Sequence, residues 1–508
     1  MPIKLCSTRT LPWYKEHTMA TLLSQASLGA LPADTRRPAY ARARLQPGIV
    51  HLGLGAFHRA HQALYTEALL EAGDLRWGIV GVHLRERRMA ELIRQQDLLY
   101  SVTESDGETT RSRVAGALVG ALHAPSALPA VLGAIADPRV SIVSLTVTEK
   151  GYSIAPASGD LDLDDADIRH DLLTPDTPRT TLGVLAAGIR RRAADAPLSV
   201  VCCDNMAGNG DKLRKLLMQY ARGFDASLAS RIGDTIAFPN TMVDRIVPAA
   251  TPASLAAAEA RLGLRDEAAI ACEPFTQWVI EDRFSGPRPA WEEAGALLTG
   301  DVRPYEAMKL RLLNGSHSAI AYLGQLRGRV TVAEAMADPA IGTFVQALMR
   351  EDLLATVTVP RGFDVQAYCD ELLARFRNPT LAHQTRQIAM DGTQKVPVRW
   401  LPALRESLAA GIERPRLERA LAAWLHYLAT ARGETGETLA ISDPGAAALT
   451  GRLRAADTPL DAAQAALDHH GVFSAAPWPA DFVARLAQHL ADLRERGTEA
   501  LLATSAER

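Results

Sequence analysis

The sequence predicts an α/β fold up to about residue 298 and a mainly α-helical part from there to the end. Short apolar runs that each close on a polar loop recur through the first part, with helical periodicity between them. Beyond it the pattern changes to long stretches of 3.6-residue period, such as 331–351, 415–432 and 480–503. Pro287, Pro289 and Pro304 punctuate the changeover. With 508 residues and 47% hydrophobic content, the chain is long enough for more than one core. We therefore expect a tail and lead-in over 1–44, an α/β domain over 45–298 and a helical domain over 299–508.

The totals narrow the partners. A net charge of −3 without long basic runs gives no footprint for nucleic acid or an anionic membrane, so small molecules are expected. Five cysteines (Cys6, Cys202, Cys203, Cys272, Cys369) with no CxxC pair argue against a disulfide framework and a structural zinc site, and point to a reducing cytoplasm. No metal is expected. Neither a secretory leader nor an 18-residue apolar run is found, and Met19 offers an alternative start, so the first 18 residues read as a tail.

In chain order, Gly48 to Leu52 reads as a strand, Gly53-Leu-Gly55 as a tight turn, and the following residues as a helix with Leu64, Ala68 and Ala72 on one face. Strand, glycine turn, helix is the order of a Rossmann-type dinucleotide site, where bare backbone and a helix N-terminus meet a pyrophosphate. Gly53, Gly55, Phe57, His58 and Arg59 are the candidates for holding it. His58 stands where the third glycine of G-x-G-x-x-G would be, so the turn alone also suits a purely structural role. Trp77 to Leu84 supplies the next strand, ending at Arg85-Glu86-Arg87-Arg88. Glu86 there suits the ribose hydroxyls of NAD, whereas its arginine neighbours suit the 2′-phosphate of NADP. Two further strands, 140–148 and 198–203, end in Glu149-Lys150 and Asp204-Asn205, and open α/β sheets place ligands at such ends. Phe238-Pro-Asn-Thr-Met-Val-Asp244-Arg245 marks another loop.

The helical part opens with Lys309-Leu-Arg-Leu-Leu-Asn314-Gly-Ser-His317. At roughly 100° per residue, Asn314 and His317 lie about 140° and 80° around an α-helix from Lys309, so one face presents amine, amide and imidazole together. The same spacing also suits a solvated lysine, a helix-breaking Asn-Gly pair and a satisfied core histidine. Further on, Asp391 to Pro397 reads as a loop that closes a helix over 384–390.

Several stretches together resemble the polyol-specific long-chain dehydrogenase/reductase family, also called the mannitol dehydrogenase family. They are Gly53-Leu-Gly55-Ala-Phe-His-Arg-Ala-His-Gln, Ser144 to Glu149, Cys203-Asp-Asn205, Phe238 to Arg245, Glu273-Pro-Phe and Lys309-x4-Asn314-x2-His317, spanning roughly residues 45–500 in order. The resemblance implies a metal-independent oxidoreductase using NAD, with NADP as the alternative, on a sugar acid or polyol held between a Rossmann-type domain and a helical domain. It implies Lys309 as general acid/base, Asn205 and Asn314 as the pair holding the reacting oxygen, His317 on substrate hydroxyls, and Asp244 and Glu306 in supporting positions of the substrate cleft. Thr148 to Tyr152, Ile246 to Pro252 and Gln387 to Lys395 resemble the sugar-acid reductases of the family rather than its mannitol dehydrogenases. Lys150, Gln387 and Lys395 are thereby further substrate-binding candidates, Lys150 as a partner for a carboxylate. The family's many monomers leave a monomer or small homo-oligomer as the expectation.

Overall fold

The computed structural model describes residues 20–155, 158–474 and 476–503; the tail expected over 1–18 lies outside them. Six parallel strands form the central sheet: β1 Pro47–Leu52, β2 Gly78–His83, β3 Leu118–His123, β4 Ile142–Leu145, β5 Leu198–Cys202 and β6 Ile236–Ala237. Their order is β3-β2-β1-β4-β5-β6. This is the doubly wound arrangement, in which the chain reverses direction across the sheet between β1 and β4 and opens a crevice at their carboxyl ends.

The apolar runs follow from burial on both faces. Val50, Leu52, Val143 and Leu145 enter one core with the helices Ala124–Ala136, Thr181–Arg191 and Asn209–Arg222. Ile49, Ile79 and Ile142 point the other way, onto Leu64, Leu69 and Trp278. The helix Gln62–Glu71 is buried on nearly all sides rather than along one stripe, because a second layer covers it. That layer contains two three-stranded sheets, one with Tyr100–Ser105 and Thr110–Ala115, the other with Thr241–Asp244, Gln277–Glu281 and Leu297–Thr299.

After Thr299 the described elements are helical and share one large core. The expected helix over 331–351 is broken by Asp338-Pro339 into Val332–Ala337 and Pro339–Ala347, followed by a π-helical turn at Leu348–Leu353. Proline fixes φ and lacks an N–H, so it starts a helix better than it continues one. The expected loop at 391–397 is instead the helix Gly392–Arg399, entered through Asp391 at φ +56°.

Candidate active site

The stretch that carries Lys309 is a rod with a defect. It begins as an α-helix at Arg303–Met308, widens into π-helix over Lys309–Gly315 and returns to α-helix at Ser316–Leu326. A π-turn shifts hydrogen bonding to i→i+5 and occurs often at functional sites. Two carbonyls of this turn are taken up from outside: Arg399 Nη1 donates to Asn314 O at 3.1 Å, and Trp400 Nε1 to Gly315 O at 3.1 Å. The α-helical angles expected from the sequence therefore do not apply within the turn, although the three side chains remain on one rod.

Lys309 is buried. Its Nζ donates to Asn205 Oδ1 at 2.9 Å and to Val243 O at 2.6 Å. Burial lowers its pKa, neighbouring Arg375 and Arg399 lower it further, and Asp244 opposes them. An amine so placed gives up its proton more readily than a free lysine does. With Asn205 Oδ1 turned to the ammonium, the amide Nδ2 is left to donate elsewhere. Asn205, Asn314, Glu306 and Lys309 line one cavity of about 260 Å³, together with Thr241 and Met242. Glu306 Oε1 accepts from Gly208 N at 2.9 Å, tying the rod to the loop after β5, and burial raises its pKa. His317 is buried on the same rod against the Phe376 ring, with centroids 4.5 Å apart, and its Nε2 has no partner. Burial pushes its pKa well below the usual imidazole value, so it is a neutral donor or acceptor.

A second cavity, of about 320 Å³, lies at the carboxyl ends of β1, β2 and β4, at the point where strand order reverses. Gly53, Gly55, His83 and Glu86 line it. At Gly53 φ is +95°, and a Cβ would come within 2.2 Å of Thr146 O, so both conformation and space demand glycine. At Gly55 nothing else comes nearer than 3.8 Å to that position, leaving bare backbone before the short helix Ala56–Ala60. Those residues fit a dinucleotide: Gly53 to Gly55 would take its pyrophosphate and Glu86 its adenosine ribose. Asp204 joins the two cavities. Its carboxylate accepts from Val147 N at 3.0 Å, Thr148 N at 2.8 Å and the Tyr152 hydroxyl at 2.5 Å, which holds Thr148 at φ +66°. A β-branched residue in that region is strained and persists where its surroundings fix it.

Other expected residues lie elsewhere. His58 is buried face to face with His51, centroids 3.3 Å apart, and so points into the strand instead of toward a phosphate. Arg59 is buried as well, donating to Ala268 O at 2.5 Å; Phe57 packs on His61. Lys150 is exposed and lines the dinucleotide cavity, not the Lys309 cavity. Gln387 is exposed on the helix Thr385–Ala389, and Lys395 Nζ donates to Ile388 O and Met390 O. Asp244 is committed to Arg375, whose guanidinium also holds Glu273: the four distances run from 2.7 to 3.1 Å, all buried. That cluster fastens the helix Val365–Phe376 to the α/β part beneath Lys309. Sequence reasoning missed Arg375, Arg399 and the Val243 carbonyl. Only Arg375 left a trace, as a charge on the apolar face of its helix.

Among the described residues no group of three or more His, Cys, Asp or Glu is arranged to hold a metal ion, and no helix is long and apolar enough to cross a membrane. Cys202, Cys203, Cys272 and Cys369 are buried free thiols.

A lysine amine held by an amide, one wall away from a glycine-turned strand-end cavity, defines a class of protein: oxidoreductases in which a side chain moves the proton and a dinucleotide carries the electrons. Comparison with known proteins makes this specific. Residues 47–293 match the model of the mannitol dehydrogenase Rossmann domain, and residues 301–494 that of the mannitol dehydrogenase C-terminal domain. D-mannonate oxidoreductase of Escherichia coli (strain K12) is 43% identical over 474 residues, 92% of this chain and 97% of that one. Mannitol 2-dehydrogenase of Cereibacter sphaeroides is 41% identical over 431 residues, covering 84% and 90%. The solved Pseudomonas fluorescens mannitol 2-dehydrogenase ternary complex with NAD and D-mannitol superposes with a TM-score of 0.82 at 37% identity, covering 95% and 99%. The chain belongs to the mannitol dehydrogenase family and is an oxidoreductase acting on CH–OH groups.

Proposed function

We propose that this chain interconverts D-fructuronate and D-mannonate with NAD(H), reducing the C5 carbonyl of the keto acid in one direction and oxidising the C5 hydroxyl in the other. The observation that carries the chemistry is Lys309 Nζ at 2.9 Å from Asn205 Oδ1 inside the junction cavity. The choice of sugar acid is supported by the near full-length likeness to D-mannonate oxidoreductase. A bound nicotinamide supplies or accepts the hydride. As negative charge grows on the carbonyl oxygen, Nδ2 of Asn205 and of Asn314 donate to it, each donor being worth roughly 3 kcal/mol in such a position. Lys309 then delivers its proton to that oxygen, or removes it in the oxidising direction. Asn205 and the Val243 carbonyl keep the amine aimed, and His317 contributes a neutral ring to the substrate hydroxyls. NAD is favoured by Glu86 at the end of β2, with NADP as the alternative because Arg85 lines the same cavity. The reaction belongs to a reducing cytoplasm, in keeping with the buried free thiols.

The second reading is a polyol dehydrogenase acting on mannitol or arabinitol, favoured by the mannitol 2-dehydrogenase at 41% identity; tagaturonate reduction is a variant of the first. Following NADH and NADPH absorbance with D-fructuronate, D-tagaturonate and D-fructose, and NAD⁺ and NADP⁺ reduction with D-mannitol, separates them. The expected result is fast NADH oxidation with D-fructuronate and little with D-fructose. Faster turnover of D-mannitol and D-fructose than of either hexuronate would move the chain to the polyol dehydrogenases.

A further inference from the structure

Beside the Lys309 cavity, on the backbone of Asn314 that lines it, lies a cation with no ion pair among the described residues. Arg399 ends the helix Gly392–Arg399 and is half-buried beside the π-turn. Its Nη1 donates to Asn314 O at 3.1 Å and to Ser318 Oγ at 2.9 Å, the residues that bracket His317. No described carboxylate pairs with it, in contrast to the other arginines of the junction: Arg375 holds Asp244 and Glu273, and Arg245 holds Glu104. Its remaining donors, Nε and Nη2, carry no hydrogen bond, yet neither is among the sealed unpartnered atoms, so this edge of the guanidinium stays accessible.

The surrounding electrostatics agree. Burial brings Arg399 down to about 10, with only the Tyr322 phenol opposing it. Its charge in turn helps to lower Lys309, His317 and Lys395. Meanwhile the nearby acids are occupied, Asp244 and Glu273 by Arg375 and Glu306 by Gly208 N. A half-buried guanidinium gains by pairing when a ligand covers it, and its Nε–Nη2 side matches the two oxygens of a carboxylate.

We propose that Arg399 is the carboxylate anchor of the substrate site, holding the acid end of the hexuronate through Nε and Nη2 while the keto carbon lies at Lys309. The proposal rests on the sugar-acid reading above and sharpens it, since it says which residue makes the site prefer an acid to a neutral sugar. Asn314 and Ser318 lie five and nine residues beyond Lys309 on one rod, at most about 7.5 and 13.5 Å along it, since the widened turn rises less per residue than an α-helix. An extended six-carbon chain spans that interval with a hydrogen bond at each end. Lys150, the carboxylate partner expected from sequence, faces the dinucleotide cavity and is freed from this role.

The test is steady-state kinetics of the full chain with NADH, comparing wild type, Arg399→Gln and Arg399→Lys on D-fructuronate and D-fructose. NADH affinity and thermal melting serve as controls for folding. Loss of a desolvated charge pair should cut kcat/KM for D-fructuronate roughly 30-fold or more, mainly through KM, and reduce the preference over D-fructose by a similar factor. Lysine should restore part of that preference. A wild type that prefers D-fructuronate, with Arg399→Gln keeping the same preference or losing both substrates equally, overturns the anchor alone. A wild type with no preference for the acid overturns the sugar-acid reading and the anchor with it.

Discussion

Lys309 combines two properties that normally conflict, burial and a polar function. Its ammonium has two fixed acceptors, so the charged form is tolerated, yet burial and two arginines hold its pKa below that of a free lysine. The sign of the pH dependence follows. Reduction needs the ammonium as acid, so its rate should fall as pH rises through the lowered pKa; oxidation needs the free amine and should rise over the same interval. Both limbs should report one pKa, below the usual lysine value, when kcat/KM is followed against pH in each direction. A limb with the opposite slope would remove Lys309 from the proton transfer. At this scale Lys309, Asn205, Asn314 and Glu306 were legible in the sequence and do meet around one cavity. Arg375 and Arg399 were not, because their meaning comes from partners more than 80 residues away, Asp244 and Asn314. His58 misled for a related reason. Its place in the glycine pattern invites a phosphate contact, whereas tertiary packing stacks it on His51.

Among the elements, the strand-to-helix turn after β1 and the π-turn at Lys309 set the site. Gly53→Ala puts a methyl against the Thr146 carbonyl at a φ that L-residues rarely adopt. We expect a loss of stability of about 2 kcal/mol or more, with weakened NADH binding, read by chemical denaturation and by fluorescence titration. A variant that melts and binds like wild type would show the turn to be less constrained than its geometry. Four of the six central strands, β1, β2, β4 and β5, were legible as apolar runs ending in polar loops, whereas Thr241–Asp244, read as part of a loop, is a strand. β3 escaped, since Leu-Val-Gly-Ala-Leu-His carries a glycine and follows directly on a hairpin, and neither period nor turn chemistry marks it out. The π-turn is equally silent in sequence, because a widened turn keeps the apolar face of an ordinary helix.

The whole molecule depends on keeping several histidines neutral inside its core. Burial depresses His51 and His61 to about 3, and His58 and His317 well below the usual value. A base whose folded pKa lies below its unfolded one adds stability that is fully present above about 6.5 and is lost as pH falls toward the folded pKa. Glu67, raised by burial to about 7, acts in the opposite sense between 4.5 and 7, and Asp204, Glu273, Glu306, Asp352, Glu371 and Glu418, also raised by burial, offset part of the loss in the same way, while His83, lowered to about 4, adds to the histidines. Each histidine contributes a slope of up to about 1.4 kcal/mol per pH unit. The chain should therefore lose stability as pH falls from about 6 to 4 and the histidine share outweighs that of the acids, as urea midpoints at stepped pH would show. Flat stability over that interval would mean that these rings charge without unfolding the core.

The two halves meet where Lys309, Glu306 and Arg375 of the helical part grip Asn205, Gly208, Asp244 and Glu273 of the α/β part. The central claim is that this junction exists to move a proton at a carbon being oxidised or reduced. Lys309→Ala, assayed for turnover of D-fructuronate and for NADH binding, tests it most directly. General acid catalysis and charge stabilisation together predict a fall in kcat of about 10³-fold or more, with NADH affinity within a few-fold of wild type. Turnover near the wild-type rate would contradict the account.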